Sequence, residues 1–233
     1  VSKLLIMGME SILESIMEAR GIRRSFGSID VLSGLDLEVR HGEFLAVVGR
    51  SGVGKSTLLA ILGTHDLEHE GTLSIAGRVT SELSPSELAE LRREYLGFVF
   101  QDFHLLPELT AMENVILPAV FSGRDQGPAR HQAEEILERL SIRADETPTN
   151  LLSRGERQRV AVARGLVNGP SVLLADEPSA SLDMESEQTL FNLLDELRRE
   201  MGFALIAVIH SKAVLDRADR ILELREGVLH EMA

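Results

Sequence analysis

The run Gly49-Arg50-Ser51-Gly52-Val53-Gly54-Lys55-Ser56, followed by Thr57, fits the pattern G-x-x-x-x-G-K-[ST]. Glycines at this spacing let the backbone fold tightly, so that successive N–H groups point inward at phosphate oxygens. Lys55 can then reach β- and γ-phosphates, and the Ser56 hydroxyl can ligate Mg2+. A helix opening at this point adds its partial positive charge. The second chemical centre is Val172-Leu173-Leu174-Ala175-Asp176-Glu177, a hydrophobic strand that delivers two acids at its carboxyl end. Ligands of open α/β sheets sit at that end. Asp176 can hold Mg2+ through its water shell, while Glu177 can accept a proton from an attacking water or orient it. A Gly-rich connection or a strand ending in acids is common by itself; the pair in one chain points to nucleoside triphosphate chemistry. The N-K-x-D stretch by which common GTPases select guanine is missing, because no Asn here is followed by Lys.

The elements that must position these residues are legible around them. Phe44 to Val48 is a continuous apolar run, as expected of a strand buried on both faces, and Lys55 to Leu62 reads as the helix after the loop. Upstream, Ile29 to Leu32 and Leu35 to Val39 read as short strands broken by turns, and His41-Gly42 turns the chain. Gly71 to Val79 reads as a strand pair, and Ser84-Pro85-Ser86-Glu87 is a helix-start signal. Leu96 to Phe100 is strand-like, and residues 102 to 165 are mainly helical in pattern. Apolar strands at Ser171 to Ala175 and Phe203 to Ile209 flank a helix from Ser186 to Met201. Strands alternating with helices predict a parallel α/β sheet, with the helical block as an inserted subdomain.

Composition narrows the classes of function. The 233 residues carry 24 Lys+Arg against 37 Asp+Glu, a net charge of −13, which argues against a nucleic-acid partner because phosphate contacts need clustered cations. Zero Cys excludes disulfides, thiolate metal sites and cysteine nucleophiles. No run approaches the roughly 20 apolar residues of a membrane span. At the N-terminus Leu5, Met9, Ile12, Leu13 and Ile16 fall at helical spacing, with Glu10, Glu14 and Glu18 on another face. Acids there disfavour a membrane-surface helix, and residues 1–15 are expected to be an extension ahead of one domain from 16 to 233.

Between the two chemical centres lies Leu152-Ser153-Arg154-Gly155-Glu156-Arg157-Gln158-Arg159, continuing to Leu166. This segment resembles the signature motif of the ATP-binding-cassette (ABC) ATPases, usually L-S-G-G-Q or L-S-G-G-E. Gln101 is similar to that family's Q-loop glutamine, Ser181-Leu182-Asp183 to its D-loop and His210 to its switch histidine. Phe26 stands where the family's adenine-stacking aromatic usually is. The resemblance implies a P-loop NTPase core, a mostly parallel sheet with flanking helices. An antiparallel β subdomain and a helical subdomain at about 102–165 would accompany it. It also implies ATP and Mg2+ as cofactors, with Lys55, Ser56, Gln101 and Asp176 organising both, and Glu177 and His210 catalysing hydrolysis. Ser153, Arg154, Gly155 and Glu156 would act in trans on the nucleotide of a second copy in a two-fold ATP sandwich. Arg154 replaces the first signature Gly and places a cation at a helix N-terminus, which costs about 0.3–1 kcal/mol if exposed; it is expected to point to solvent.

Within the family, Gly97-Phe98-Val99-Phe100-Gln101, His104-Leu105-Leu106-Pro107 and Leu109-Thr110-Ala111-Met112-Glu113-Asn114-Val115 resemble the lipoprotein-releasing, macrolide-export and cell-division group. That likeness implies a bacterial cassette on the cytoplasmic face of the inner membrane. It would drive an integral membrane subunit that docks near Gln101, for lipoprotein release or export. A mechanical regulator of cell-wall hydrolysis is the alternative.

Overall fold

The computed structural model describes residues 15–121, 126–143 and 145–232. The expected N-terminal extension lies outside them, apart from Ser15. Ile16 belongs to a strand, so the helical spacing seen upstream does not extend to it. The chain opens with β1 (Ser15–Phe26) and β2 (Ile29–Arg40), a long antiparallel hairpin. The expectation of short strands broken by turns is corrected here. Ser33-Gly34, which reads as a break, is absorbed by a register shift, with Ile22 opposite Leu35 but Arg23 opposite Ser33.

Strand β3 (Phe44–Val48) leads into helix α1 (Lys55–Leu62), then β4 (Glu70–Ile75) and β5 (Arg78–Val79). Helix α2 (Pro85–Tyr95) starts at the Ser84–Glu87 capping box with Pro85 in its first position. Next come β6 (Leu96–Val99), α3 (Ala111–Phe121), α4 (Gln126–Arg139), α5 (Arg154–Leu166) and β7 (Val172–Asp176). The chain continues through α6 (Met184–Met201), β8 (Ala204–Val208), the short α7 (Lys212–Leu215), β9 (Arg220–Arg225) and β10 (Val228–Glu231). The last two strands carry no long apolar run; their signal is the alternation of Leu222 and Leu224 with Glu223 and Arg225 before the Glu226-Gly227 turn.

Two sheets result. One is antiparallel, ordered β2-β1-β4-β5; the other is six-stranded, ordered β10-β9-β3-β8-β7-β6, parallel except for its β10 edge. Alternation along each central strand sends side chains to opposite faces. Phe44, Ala46, Leu173, Ala175, Leu205 and Ala207 pack with α3 to α6, while Leu45, Val47, Val172, Leu174 and Ile206 pack with α1 and the antiparallel sheet. Phe44 stacks on Phe191 of α6 with ring centroids 6.1 Å apart, and burying each such side chain contributes about 1.5–3 kcal/mol. Helix α5 lies close on β6: a Cβ at Gly97 would come 2.2 Å from the Gly165 carbonyl oxygen, so only glycine permits this approach.

Candidate functional site

Parallel strands put all their carboxyl ends on one edge, and this edge gathers the chemistry. The Gly49–Gly54 loop follows β3, Gln101 follows β6, Asp176 and Glu177 end β7, and His210 follows β8. In the sheet order β8 lies between β3 and β7, so the histidine strand separates the phosphate-loop strand from the acid strand.

The loop after β3 is built as the glycine spacing requires. Gly49, Gly52 and Gly54 all have positive φ. At Gly54 a Cβ would meet Val31 Cγ1 at 2.5 Å, so β2 of the hairpin lies against the loop where α1 begins. The buried Lys55 ammonium donates to the Gly49 and Arg50 carbonyl oxygens at 2.8 and 3.1 Å, inside the turn of the loop. Arg50, Ser51, Gly52 and Ser56 are exposed, whereas Val53 and Thr57 are half-buried.

Ser56 and Asp176 line one small cavity of about 220 Å3, and the Ser56 hydroxyl hydrogen-bonds the carboxylate. Burial pushes the Asp176 carboxyl above the ordinary carboxylate range and the Glu177 charge adds to this, against the Ser56 hydrogen bond and the Lys55 charge. A carboxylate whose charge is held out of water, beside a hydroxyl, suits a hard cation. Phe100 lines this cavity but Gln101 does not; Gln101 sits exposed in the turn beyond β6 rather than ending the strand. No group of three or more His, Asp or Glu among the described residues could hold a metal alone. Mg2+ commonly takes one or two protein oxygens and completes its shell with waters and phosphates.

Glu177 is held at φ 45°, a left-handed conformation uncommon for a side-chain-bearing residue. Its Oε1 lies 2.9 Å from His210 Nε2. Both residues line a cavity of about 310 Å3 with Ser179, Ala180 and Glu187. Nothing in the sequence assigns such a contact, which joins side chains 33 positions apart.

Phe26 ends β1 opposite Ile29 and is half-exposed, so it is not a core anchor beside a turn. The Arg24 guanidinium sits 4.3 Å from its ring centroid. Sequence reasoning passed over Arg24; the signal was its place two residues before Phe26, on the same face of a strand.

The signature segment forms the start of α5. Ser153 caps the helix and closes a capping box with Glu156, whose carboxyl the Ser153 hydroxyl and backbone hold below the usual range. Arg154 is exposed and, among the described residues, makes no hydrogen bond or ion pair. Gly155 has room: a Cβ there would meet Arg159 Nη1 at 3.6 Å and Ser186 Oγ at 3.9 Å, ordinary contacts. Of the D-loop residues, Asp183 caps α6 by accepting from the Ser186 backbone, Leu182 packs against the core and Ser181 is half-buried. Further along α5, Arg164 donates to the carbonyl oxygens of Phe103 and His104, both at positive φ, and Arg157 lies over the Phe103 ring. The segment after Gln101 is thus tied to the helix that carries the signature.

The sequence profile of the family described as "ABC transporter" matches residues 32–180. The lipoprotein-releasing system ATP-binding protein LolD of Porphyromonas gingivalis is 47% identical over 216 residues, 92% of this chain and 98% of that protein. The macrolide export ATP-binding/permease protein MacB 1 of Aeromonas hydrophila is 45% identical over 222 residues, 93% of this chain. The chain spans only 34% of that relative's length. Among solved structures, a dimeric bacterial ABC transporter cassette superposes with a TM-score of 0.84 at 36% identity, covering 93% of this chain and 97% of that one. A post-hydrolysis dimer bound to ADP and Pi gives 0.82, again at 36% identity, with the same coverage.

Proposed function

The chain belongs to the ABC transporter family and carries its ATPase fold, and from that premise we propose that it hydrolyses ATP as half of a two-fold sandwich that drives a membrane subunit in lipoprotein release or export. The observation that carries the hydrolytic reading is the Glu177–His210 contact on the strand edge that also holds Lys55. Lys55 and the loop N–H groups bind the β- and γ-phosphates. Ser56 and Asp176 would hold Mg2+, whose charge would offset that of the phosphates; Gln101, outside their cavity in the structure, would join them as a further oxygen donor. Glu177 takes or orients the proton of the attacking water. His210 holds Glu177 Oε1 and reaches the γ-phosphate.

Ser153, Arg154, Gly155 and Glu156 act on the nucleotide of the second copy, with Ser181, Leu182 and Asp183 at the same interface. Two features support this. Gly155 is not needed for packing within one copy, and Arg154 stands free at the surface. A dimer closed by ATP and released by hydrolysis is a population shift driven by contacts made in one state only.

The membrane subunit docks in a groove of about 480 Å3 beside β6, lined by Phe98, Phe100, His104, Pro118 and Phe121 with Arg92, Arg93 and Arg164 in its walls. No helix among the described residues is long and apolar enough to cross a membrane; in this reading the chain works on the cytoplasmic face, as the likeness to ATP-binding subunits suggests. Relatives named for lipoprotein release and macrolide export favour these tasks over control of wall hydrolysis.

Tagged Glu177→Gln protein, loaded with Mg-ATP, is the test. It should bind ATP, run as a dimer on light scattering and hydrolyse at least about 100-fold more slowly, the usual contribution of a positioned base. Used as bait on detergent-solubilised membranes of its host, it should retain an integral membrane protein. Undiminished hydrolysis would remove Glu177 from the chemistry, and recovery of soluble proteins alone would refute the transporter role.

A further inference from the structure

The β1–β2 hairpin is fastened to both ends of α1. At the start of the helix Val31 lies against Gly54 of the phosphate loop. Beyond its end, Arg24 Nε bonds Asp66 Oδ2 at 2.8 Å and Arg24 Nη2 bonds Glu68 Oε2 at 3.1 Å. Asp66 is fixed in turn, because its backbone N–H donates to the Ala60 carbonyl of α1 and its Oδ1 accepts from the Glu68 N–H. The third Arg24 nitrogen, Nη1, donates to the Ser25 carbonyl. With each guanidinium nitrogen engaged and the side chain 13% exposed, the plane of Arg24 is locked under Phe26. Phe26 keeps 49% of its surface exposed, and Ile29 opposite it is exposed as well.

We propose that Arg24 is a positioning residue for the nucleobase: clamped by Asp66 and Glu68, it backs the Phe26 ring so that its free face receives a purine in fixed register with the phosphate loop. The proposal rests on the cassette reading, in which Phe26 takes the base. Two physical effects favour it. A ring held by a cation on one side cannot rotate freely, so less entropy is lost when a base stacks. The cation also draws π density toward itself and leaves the outer face less negative, which suits the electron-rich face of a purine. Because the clamp reaches the segment after α1, base and phosphates are gripped by parts of one rigid unit.

The experiment compares ATP with inorganic tripolyphosphate, a probe without a base, by titration calorimetry on the full chain. Arg24→Ala is expected to weaken ATP about 5-fold and leave tripolyphosphate unchanged, with Arg24→Lys in between because a lysine lacks the planar fork. In a Phe26→Ala background, where stacking is already lost, Arg24→Ala should add almost nothing. Equal loss of ATP and tripolyphosphate would make Arg24 a merely structural residue and overturn the proposal. So would an Arg24→Ala effect on ATP of the same size with or without Phe26. Wild-type protein that bound tripolyphosphate no less tightly than ATP would remove the base site altogether. Failure to bind either ligand would instead refute the cassette reading and the proposal with it. A melting curve on each variant separates loss of fold from loss of stacking.

Discussion

Asp176 carries an electrostatic cost of folding. Burial raises its pKa in the folded chain, so between the ordinary carboxylate value of about 3.9 and the raised one the folded state binds more protons than the unfolded. Stability therefore falls as pH rises through that window, and above it the cost is present in full. Asp176→Asn should melt higher than wild type at pH 8, with the difference shrinking as the pH is lowered toward 4, while Mg2+-dependent hydrolysis is lost. An Asn variant that melts lower at pH 8 would mean that the Ser56 and Lys55 interactions outweigh burial. In the proposed function this residue meets a cation, and stability yielded there is a common trade at functional sites. Glu177 shows a related trade in its backbone, held left-handed where its carboxylate meets His210.

At the scale of elements, the first turn of α5 separates two demands. Ser153 satisfies the helix by capping, and its loss to Ala should cost about 1 kcal/mol, a fall of roughly 2–4 °C in melting temperature for a chain of this size. The Glu156 carboxylate, held low by Ser153, supports the folded state above the unfolded pKa, and that support fades as pH falls through the folded one. Gly155 carries no such burden. Gly155→Ala should leave the melting temperature unchanged or raise it, since Ala is the better helix former by up to about 1 kcal/mol, yet it should abolish the proposed ATP-dependent dimer, with light scattering as the readout. A variant that both melted lower and dimerised normally would place the need for glycine inside the single copy. The strand pattern around Phe44 and the capping box at Ser84 were both legible because each is local. The bulge at Gly34 was not, since the cross-strand register decides it; the β9–β10 hairpin is local too, but its alternating pattern was passed over.

Across the whole molecule, charge is unevenly placed. The chain is acidic, yet Arg92, Arg93 and Arg164 gather around one groove whose rim carries Phe121, 84% exposed. Arg93 Nε is buried there without a hydrogen-bond partner among the described residues. An apolar anchor with a carboxylate beside it suits such a surface. If the proposed membrane subunit docks here, Phe121→Asp should release it in affinity capture while ATP hydrolysis by the isolated chain stays within about two-fold, because the site chemistry lies on the strand edge. Retention of the partner by that variant, measured by affinity capture, would move the docking surface elsewhere.

The amino-acid sequence by itself determined the residue types and their local frame: the glycine spacing before Lys55, two acids ending an apolar strand, a Ser–Glu cap opening a helix. Such features depend on neighbours a few positions apart, where steric freedom, side-chain alternation and capping act directly. Tertiary structure alone decided which ends meet. The strand order set β8 between β3 and β7 and brought His210 to Glu177, folded the hairpin onto Gly54, clamped Arg24 to Asp66 and Glu68, and tied Arg164 to the segment after Gln101. Those contacts join residues far apart in sequence, and only burial of a shared core and the parallel register of the sheet bring them within reach of one another.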